Sequence, residues 1–216
     1  MENLIKEHGY ILPPFCNWTP EEWETKGQEY DEIRDNMLGW DITDYGLGDF
    51  EKVGFSLITI RNGNLKMADK YKKTYAEKLL YLKETQTSPM HFHWSKMEDI
   101  INRGGGNLVV KLYNSTEDGS LADTSVHVSM DGVKHEYPAG SELILHPGES
   151  ITMTQGLYHR FWGEKGKGTV LVGEVSMCND DNADNHFYDT VGRFPEIEED
   201  EEPVYLLCNE YPDPVK

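Results

Sequence analysis

Two histidines and a glutamate lie close together near the middle of the sequence, at a spacing that suits metal binding. His91 and His93 are separated by one residue, and Glu98 follows after four more. Alternate residues of a β-strand point to the same face, so both imidazoles would face one point. Imidazole binds Mn, Fe, Co, Ni and Zn, and a carboxylate adds charge for a hard divalent ion. The segment alone is also compatible with a surface strand, so a fourth ligand is required from elsewhere.

A third histidine, in the second half of the chain, supplies that ligand. Gly148 and Gly156 predict tight turns around a candidate strand at 150–154, and His159 lies on the next candidate strand, 158–162. Taken alone, His159 is better explained as a core histidine between aromatic residues. Taken with the first segment, it completes a set of three histidines and one glutamate around a divalent metal ion.

These two segments resemble the two motifs of the cupin family. The positions that match are the four ligands and three glycines: His91, His93, Glu98, Gly105, Gly148, Gly156 and His159. The departures are Thr85 for the leading glycine of the first motif, and Thr154 and Gly163 for a proline and an asparagine of the second. All four ligand positions are present. The resemblance therefore implies an all-β fold, a cupin (jelly-roll) β-barrel, that holds a divalent metal through these residues.

A narrower resemblance covers nearly the whole chain. Residues 91–106, 173–182 and 207–211 are similar to segments of the bacterial D-lyxose isomerase family. The resemblance implies a cytoplasmic, dimeric enzyme that depends on Mn²⁺ or another divalent transition metal. It also implies interconversion of D-lyxose with D-xylulose, and often of D-mannose with D-fructose.

An aldose–ketose isomerase moves a proton between C1 and C2, so a base and an acid are needed beside the metal. A metal that holds both O1 and O2 would stabilise the enediolate. Glu174 is the candidate base, because a carboxylate within the apolar run 170–175 is rarely buried without a partner or a purpose. Lys96 is the candidate acid or charge stabiliser, since it lies two residues before Glu98. A water-facing edge glutamate and an exposed loop lysine are the alternatives.

Two more charged residues lie in the irregular segment that follows the predicted barrel. Asp189 and Arg193 could fold over the barrel mouth, where an arginine could bind sugar hydroxyls or an oxyanion. Surface charge pairing explains them equally well. Both are therefore kept as catalytic candidates, with that alternative open.

Short apolar runs that alternate with Gly, Asn and Asp turns predict a β-barrel over residues 53–178. The candidate strands are 53–60, 78–83, 107–113, 125–130, 142–146, 150–154, 158–162 and 169–176. Hairpin-type turns are expected at 61–64 and 131–132. The lysine-rich segment 69–78 predicts a short surface helix.

The first 50 residues predict a helical extension. Thr19 as N-cap, Pro20 at the first helical position and Glu22 at the third are typical of a helix start. An apolar stripe at helical spacing then predicts docking onto the barrel: Trp23, Tyr30, Ile33 and Met37. Gly39 can end the helix. We therefore expect one cupin domain over 1–216, with a helical extension over 1–50, a barrel over 53–178 and an irregular acidic segment over 179–216, including the acidic run 196–203.

Charge and cysteine content exclude several kinds of partner and location. The 216-residue chain has a formal net charge of −19, which would repel nucleic acids and anionic membranes, so neither is an expected partner. No stretch reaches transmembrane length, and the start lacks a basic region followed by a long apolar run. Three cysteines without Cys-x-x-Cys spacing indicate a reducing compartment. A cytoplasmic enzyme with a small-molecule sugar substrate is the expected combination.

Two other functions use the same ligands. Three histidines and one glutamate can hold iron in a cupin dioxygenase, which would consume oxygen with an aromatic substrate. A non-catalytic sugar-binding cupin would bind metal and sugar without turnover. The placement of Lys96 and Glu174 argues against this second alternative.

Overall fold

Strands dominate the chain, and its helices are short. The computed structural model describes residues 1–195, 197 and 200–215. Its α-helices are α1 (Glu2–Glu7), α2 (Pro20–Trp23) and α3 (Asp31–Asp35), with 3-10 turns at Pro14–Asn17 and Gln28–Tyr30. Its strands are β1 (Gly39–Thr43), β2 (Phe55–Arg61), β3 (Tyr75–Leu82), β4 (His91–His93), β5 (Glu98–Gly105), β6 (Leu108–Ser115), β7 (Leu121–Ala122), β8 (Val126–Met130), β9 (Val133–Tyr137), β10 (Glu142–Leu145), β11 (Ser150–Met153), β12 (Leu157–Gly163), β13 (Val170–Met177) and β14 (Asn185–Phe187).

The strands form two sheets with a common core. The larger sheet has the order β1-β2-β3-β13-β5-β11-β8-β9, and the smaller has the order β10-β6-β12-β4-β14, with β7 added to β6. The named strands pair antiparallel throughout. Leu57, Leu80 and Val172 of the larger sheet meet Val110 and Phe161 of the smaller one. The predicted all-β barrel class is confirmed.

Alternation along two central strands decides which side chains face the interior. The interior-facing residues of β3 and β13 are all buried: Ala76, Lys78, Leu80 and Leu82 in one strand, and Val170, Val172, Glu174 and Ser176 in the other. The register places Lys78 directly opposite Glu174. Two charged side chains are therefore neighbours among apolar residues on the inner face of the larger sheet.

The turns of the two sequence motifs adopt glycine-type conformations. Gly148 and Gly156 have φ of +99° and +72°, which supports the predicted turns around β11. Thr85, which stands where the first motif has glycine, also has a positive φ of +63°. Its N–H donates to the Gly163 carbonyl at 2.9 Å, so this turn is held in place despite the β-branched side chain.

The predicted N-terminal helical extension is only partly correct. The helix start is confirmed, because the Glu22 N–H donates to the Thr19 hydroxyl at 3.3 Å and the Thr19 N–H donates to the Glu22 carboxylate at 2.9 Å. The helix ends at Trp23, however, and a strand begins at Gly39. Strand β1 pairs with β2, so backbone groups of this segment are satisfied by extending the larger sheet rather than by a longer helix.

The lysine-rich segment does not form the predicted surface helix. Residues 66–70 form turns, and β3 begins at Tyr75, so Lys78 lies in a strand. The eight candidate strands are found with slightly shifted ends, and the strand assumed for His91 and His93 is β4. Strands β1, β5, β7, β9 and β14 were not predicted. Strand β5 is rich in polar residues and glycine, and its buried place between β13 and β11 decides its conformation.

The segment after residue 178 packs against the barrel with little regular structure. Strand β14 pairs with β4, and farther on the Cys208 N–H donates to the Trp40 carbonyl at 2.7 Å. The predicted acidic run 196–203 includes residues 196, 198 and 199, which lie outside the described residues. Within the described part of the chain, every helix is too short to cross a membrane.

Candidate metal site and the charges around it

Strands β4 and β12 bring three histidines together. Strand β4 lies between β12 and β14, and its register with β12 places His91 opposite His159. Phe92 points to the other face, where its ring packs on Tyr158 at a centroid distance of 4.8 Å. The alternation of β4 therefore leaves His91 and His93 on the interior face beside His159.

The three imidazoles converge, and two of them are fixed by backbone carbonyls. One nitrogen of each ring lies within 4.8 Å of the others. His91 Nδ1 lies 2.9 Å from the Pro89 carbonyl, and His159 Nδ1 lies 2.9 Å from the Leu157 carbonyl. A carbonyl only accepts, so each Nδ1 carries the proton and each Nε2 keeps its lone pair. Such bonds orient histidines that bind metal.

Glu98 reaches this cluster from the larger sheet. Its Oε1 lies 3.2 Å from His159 Nε2 and 3.5 Å from His93 Nε2. His159 Nε2 is buried and forms no hydrogen bond within the described residues. A carboxylate oxygen and an imidazole lone pair repel each other at this distance unless a cation or a proton lies between them. The four side chains therefore fit a divalent transition-metal ion.

The ionisation states of these side chains suit metal binding. Burial lowers the pKa of His91 well below its usual value, and His159 and His93 lower it further. Burial also lowers the pKa of His93, with a contribution from Lys96. Burial opposes ionisation of Glu98, but Lys96 and His93 hold the pKa of its carboxyl well below the usual range. Neutral His91 and His93 and an ionised Glu98 are the forms that bind a metal ion.

Lys96 connects the four converging side chains to Glu174. Its Nζ lies 2.6 Å from Glu98 Oε2, 2.9 Å from Glu174 Oε1 and 3.1 Å from Asn179 Oδ1. Burial alone would lower the pKa of the Lys96 ammonium, but the carboxylates of Glu174 and Glu98 raise it. An ammonium with three short oxygen contacts is charged and held firmly in the interior.

Asp184 fixes the turn that carries Lys96. Its Oδ1 accepts the Ser95 N–H at 2.8 Å, and its Oδ2 accepts the Lys96 N–H at 3.1 Å. The same Oδ2 lies 3.8 Å from His93 Nδ1, which is buried and forms no hydrogen bond with a described residue. Asp184 therefore orients the connection between β4 and β5 and borders the outer nitrogen of His93.

On the side of Glu174 that faces away from the histidines, further basic and acidic side chains contact one another in turn. Lys78 Nζ lies 3.8 Å from Glu174 Oε1 and 3.5 Å from Asp181 Oδ2. Arg193 Nη2 lies 3.1 Å from the same Asp181 oxygen and 2.5 Å from Asp41 Oδ2. Burial opposes ionisation of Asp181, but Lys78 and Arg193 hold the pKa of its carboxyl well below the usual range. The attraction between these opposite charges therefore offsets part of the free-energy cost of burying them.

Eight of these charged and imidazole side chains line one cavity. The space between them is about 420 Å³ with the open mouth included. The aromatic part of the lining is Tyr45, Phe55, Phe161 and Phe187. The charged and imidazole part is Lys78, His91, His93, Lys96, Glu98, Glu174, Asp181 and Arg193. Aromatic walls beside converging polar groups suit a small ligand with both apolar and hydrogen-bonding surfaces.

Most of the residues predicted for the site meet in the barrel interior. The four predicted metal ligands converge, and Lys96 and Glu174 lie next to them. Arg193 lines the same cavity, where it contacts Asp181. Asp189 does not, because its side chain is exposed just beyond β14 and lies outside the cavity lining. Asp181, eight residues earlier in the same segment, provides a largely buried carboxylate in the cavity lining instead.

Four charged residues in or near the cavity were not predicted from the sequence: Asp41, Lys78, Asp181 and Asp184. Lys78 did carry a signal, since it alternates with Leu80 and Leu82 on what proves to be the interior face of β3. Asp41 lies in β1, within the segment 1–50 that was predicted as a helical extension, and the two other aspartates lie in irregular chain. Sequence spacing alone does not indicate a direction for such side chains.

Comparison with known proteins identifies one family. A family model described as D-lyxose isomerase matches residues 1–211. A D-lyxose/D-mannose isomerase of Serratia proteamaculans is 51% identical over 201 residues, which cover 93% of this chain and 88% of that protein. A protein of the same name from Escherichia coli O157:H7 is 48% identical over 209 residues, covering 96% and 92%.

Solved structures support the fold. The L-ribose isomerase of Acinetobacter sp. DL28, crystallised as a mutant in complex with L-ribose, superposes with a TM-score of 0.53 at 15% identity, covering 89% of each chain. At this identity the likeness concerns the fold alone. The cupin-type β-barrel predicted from the two motifs is confirmed.

Proposed function

The chain belongs to the D-lyxose isomerase family, and from this premise we propose that it interconverts D-lyxose and D-xylulose, with D-mannose and D-fructose as a second pair. D-Lyxose and D-mannose share their configuration at C2, C3 and C4, so one site can hold both. The observation that carries the proposal is the Lys96–Glu174 pair beside four converging metal-ligand side chains. This pair offers an acid and a base to the same bound sugar.

The proposed metal ligands are His91, His93, Glu98 and His159, and the proposed ion is Mn²⁺. Three imidazoles and one carboxylate suit this ion and other divalent transition metals. When bound, such an ion supplies Lewis-acid stabilisation of the negative charge that develops on the sugar oxygens. Support comes from the convergence of the histidine nitrogens and from the unpartnered Nε2 of His159 facing Glu98.

Glu174 is the proposed general base. Within the described residues its hydrogen bonds use Oε1, which accepts from Lys96 at 2.9 Å and from the Ser176 hydroxyl at 3.2 Å. Oε2 accepts no hydrogen bond from any described residue, and the Glu174 side chain lines the cavity. A carboxylate oxygen without hydrogen bonds can take the proton from C2 of the aldose and return it to C1, as an enediol route requires.

Lys96 is the proposed acid and charge stabiliser. Its ammonium lies between Glu98 and Glu174, so it borders both the metal ligands and the base. Negative charge that develops on O1 would be stabilised by hydrogen bonding from Nζ, which can give O1 a proton as the enediol forms. Nζ would regain a proton from the O2 hydroxyl as C2 becomes the ketone, so Lys96 ends in its starting state. The short contact with Glu98 also keeps Nζ in position before substrate arrives.

Arg193 is proposed to hold the end of the cavity that is remote from the metal ligands. Its Nη2 contacts Asp41 and Asp181, while Nη1 is buried without a hydrogen-bond partner among the described residues. Nη1 therefore has a donor to offer a sugar hydroxyl after a small rearrangement. Asp189, which is exposed outside the cavity, is not retained in the proposed catalytic set.

We also propose that the protein is a cytoplasmic homodimer, as its family resemblance implies. Nucleic acids and anionic membranes are not proposed as partners. The net charge of −19 supports this, because it repels other polyanions.

The test is isomerisation by the purified protein with and without Mn²⁺. D-Lyxose should yield D-xylulose when Mn²⁺ is present. Glu174→Gln keeps the shape but cannot accept a proton, so it should lower turnover by roughly two or more orders of magnitude. Glu142→Gln is the matched control, because Glu142 is half exposed on β10 and pairs with Lys111.

Two outcomes would contradict the proposal. Equal turnover in Glu174→Gln and the control, with metal bound in both, would remove Glu174 from the mechanism. Oxygen consumption with an aromatic substrate, and no D-xylulose from D-lyxose, would indicate a cupin dioxygenase instead.

A further inference from the structure

The ammonium of Lys96 has a third contact, besides its two carboxylates, that comes from irregular chain. Its Nζ donates to Asn179 Oδ1 at 3.1 Å. Glu98 and Glu174 lie in β5 and β13, whereas Asn179 lies two residues beyond the end of β13. The backbone of such a residue is not held by a strand ladder, so its hydrogen bonds must go elsewhere if it is to hold the lysine firmly.

The side chain of Asn62 bonds both backbone groups of Asn179. Its Oδ1 accepts the Asn179 N–H at 2.9 Å, and its Nδ2 donates to the Asn179 carbonyl at 3.0 Å. In the part of the chain that the structure describes, these two backbone groups form no other hydrogen bond. A carboxamide that bonds the N–H and the carbonyl of one residue fixes both its position and its orientation.

Asn62 is itself fixed, and its amide can point only one way. It follows β2 and is 5% exposed, and its Nδ2 also donates to the Asn36 carbonyl at 3.3 Å. Asn36, the residue after α3, donates in return from its own Nδ2 to the Asn62 carbonyl at 3.1 Å. Nδ2 of Asn62 thus faces two carbonyls while Oδ1 faces an N–H, so exchanging the two amide atoms would lose all three hydrogen bonds.

The glycine after Asn62 lets this turn lie close to the chain that leads into Asn179. A Cβ on Gly63 would overlap with the Lys73 carbonyl oxygen and with Cys178 Sγ. Cys178 Sγ in turn lies 3.1 Å from the same Lys73 oxygen. Because this close approach leaves no room for a side chain, Asn62 is held next to the segment that carries Asn179.

These contacts lead from the N-terminal segment to the proposed acid. We propose that Asn62 is a positioning residue, which holds Asn179 and thereby keeps the Lys96 ammonium in place between the two carboxylates. A displacement of about 1 Å in a reacting group can lower turnover by roughly a hundredfold. Asn62 lies outside the lining of the barrel cavity, so it should affect turnover more than substrate affinity. This inference rests on the proposed isomerase function.

Steady-state isomerisation of D-lyxose by variants of the two asparagines tests this role. Asn62→Ala removes the hydrogen bonds to the Asn179 backbone, and Asn179→Ala removes the oxygen that accepts from Lys96. Each should lower kcat roughly ten- to a hundredfold, with a smaller change in KM and an unchanged Mn²⁺ content. Asn114→Ala, which removes two side-chain hydrogen bonds of an asparagine on β6, is the control and should behave like the unmutated protein.

The double variant Asn62→Ala/Asn179→Ala separates positioning from a general structural effect. If Asn62 acts through Asn179, its loss matters little once the Asn179 oxygen is gone. The double variant should therefore have the kcat of the poorer single variant. Effects that multiply in the double variant would overturn the proposal, and so would a kcat equal to that of the control in folded, Mn²⁺-loaded Asn62→Ala.

Asn62→Asp guards against loss of folding in the alanine variant. It keeps the shape and the acceptor for the Asn179 N–H, but its second oxygen faces the carbonyls of Asn36 and Asn179. Oxygens that only accept repel one another there, so this variant should also lower kcat. Unfolding of both Asn62→Ala and Asn62→Asp would assign Asn62 to stability alone and overturn the proposal.

Hydrogen exchange of the Asn179 amide separates this proposal from the proposed function, because it needs no substrate. In heavy water this N–H should exchange slowly in the unmutated protein and in Asn114→Ala, and faster in Asn62→Ala. Equal exchange in all three would overturn the proposal. If D-xylulose is formed and Asn62→Ala exchanges faster at an unchanged kcat, the function stands and the positioning role fails. If no sugar is isomerised while exchange still depends on Asn62, the reaction fails and the positioning role fails with it.

Discussion

Replacing His159 with alanine should remove most of the stabilisation that the protein gains from metal. His159 Nε2 lies 3.2 Å from Glu98 Oε1 and opposite His91, so its loss leaves the ligand set incomplete. A ligand that binds only the folded state adds about 2.7 kcal/mol at a free concentration 100 times its Kd. Because 1 kcal/mol shifts the Tm of a chain of this size by about 2–4 °C, Mn²⁺ should raise the Tm of the unmutated protein by roughly 5–11 °C.

Thermal unfolding after chelation, with and without added Mn²⁺, measures this difference. A hundredfold loss of affinity in His159→Ala would leave about 0.4 kcal/mol at the same free Mn²⁺, or roughly 1–2 °C. His127→Ala, at an exposed histidine of β8, is the control and should keep the full rise. A rise of the full size in His159→Ala, with one bound Mn²⁺ per chain by elemental analysis, would refute the assignment of His159.

Changes at two aspartates test the surroundings of the ligands. Asp184→Ala should weaken Mn²⁺ binding about ten- to a hundredfold in a metal titration, because Asp184 fixes the Lys96 turn and borders His93; unaltered affinity would contradict this. Asp181 has a pKa held well below its usual value, so its ionised form stabilises the fold above the unfolded-state pKa of about 3.9, and this contribution is lost as pH falls towards the folded pKa. In urea unfolding from about pH 5 down to 3, Asp181→Asn should therefore lose stability less steeply than the unmutated protein, and equal slopes would speak against a stabilising ion pair.

The convergence of the proposed metal ligands was predictable to different degrees. His91 and His93 share a face because of strand alternation, which is a local property of the sequence. His159 depends on the register between β4 and β12, and residue spacing does not determine that register. Its prediction therefore required the resemblance to the second cupin motif.

Strands were predictable where apolar residues run or alternate along them, as in β6 and β13. Strand β5 was missed because its buried interior face includes Glu98 and Asn102, which are stabilised by hydrogen bonds and ion pairs rather than by apolar packing. The helix predicted to start after Thr19 is shorter than expected, and a contact with a distant part of the chain again explains the difference. Trp23 stacks on Tyr211, near the other end of the chain, at a ring-centroid distance of 3.8 Å.

The buried charges were the hardest part of the site to predict. Lys78 lies in a lysine-rich stretch typical of a surface helix, and it is buried because Glu174 and Asp181 come from distant parts of the sequence to meet it. The irregular segment after residue 178 also offered several acidic residues with no strand or helix to set their direction. Asp181 therefore lies in the cavity, whereas Asp189 is exposed.

Isomerisation of D-lyxose in heavy water with Mn²⁺ tests most directly the claim that this barrel transfers a proton between C2 and C1 through a carboxylate base. A proton held by Glu174 in an enediol route can exchange with solvent before it is returned. The D-xylulose formed should therefore carry deuterium at C1, which nuclear magnetic resonance detects. D-Xylulose without deuterium would contradict this account by indicating direct hydrogen transfer between the carbons, and absence of D-xylulose would contradict the proposed function itself.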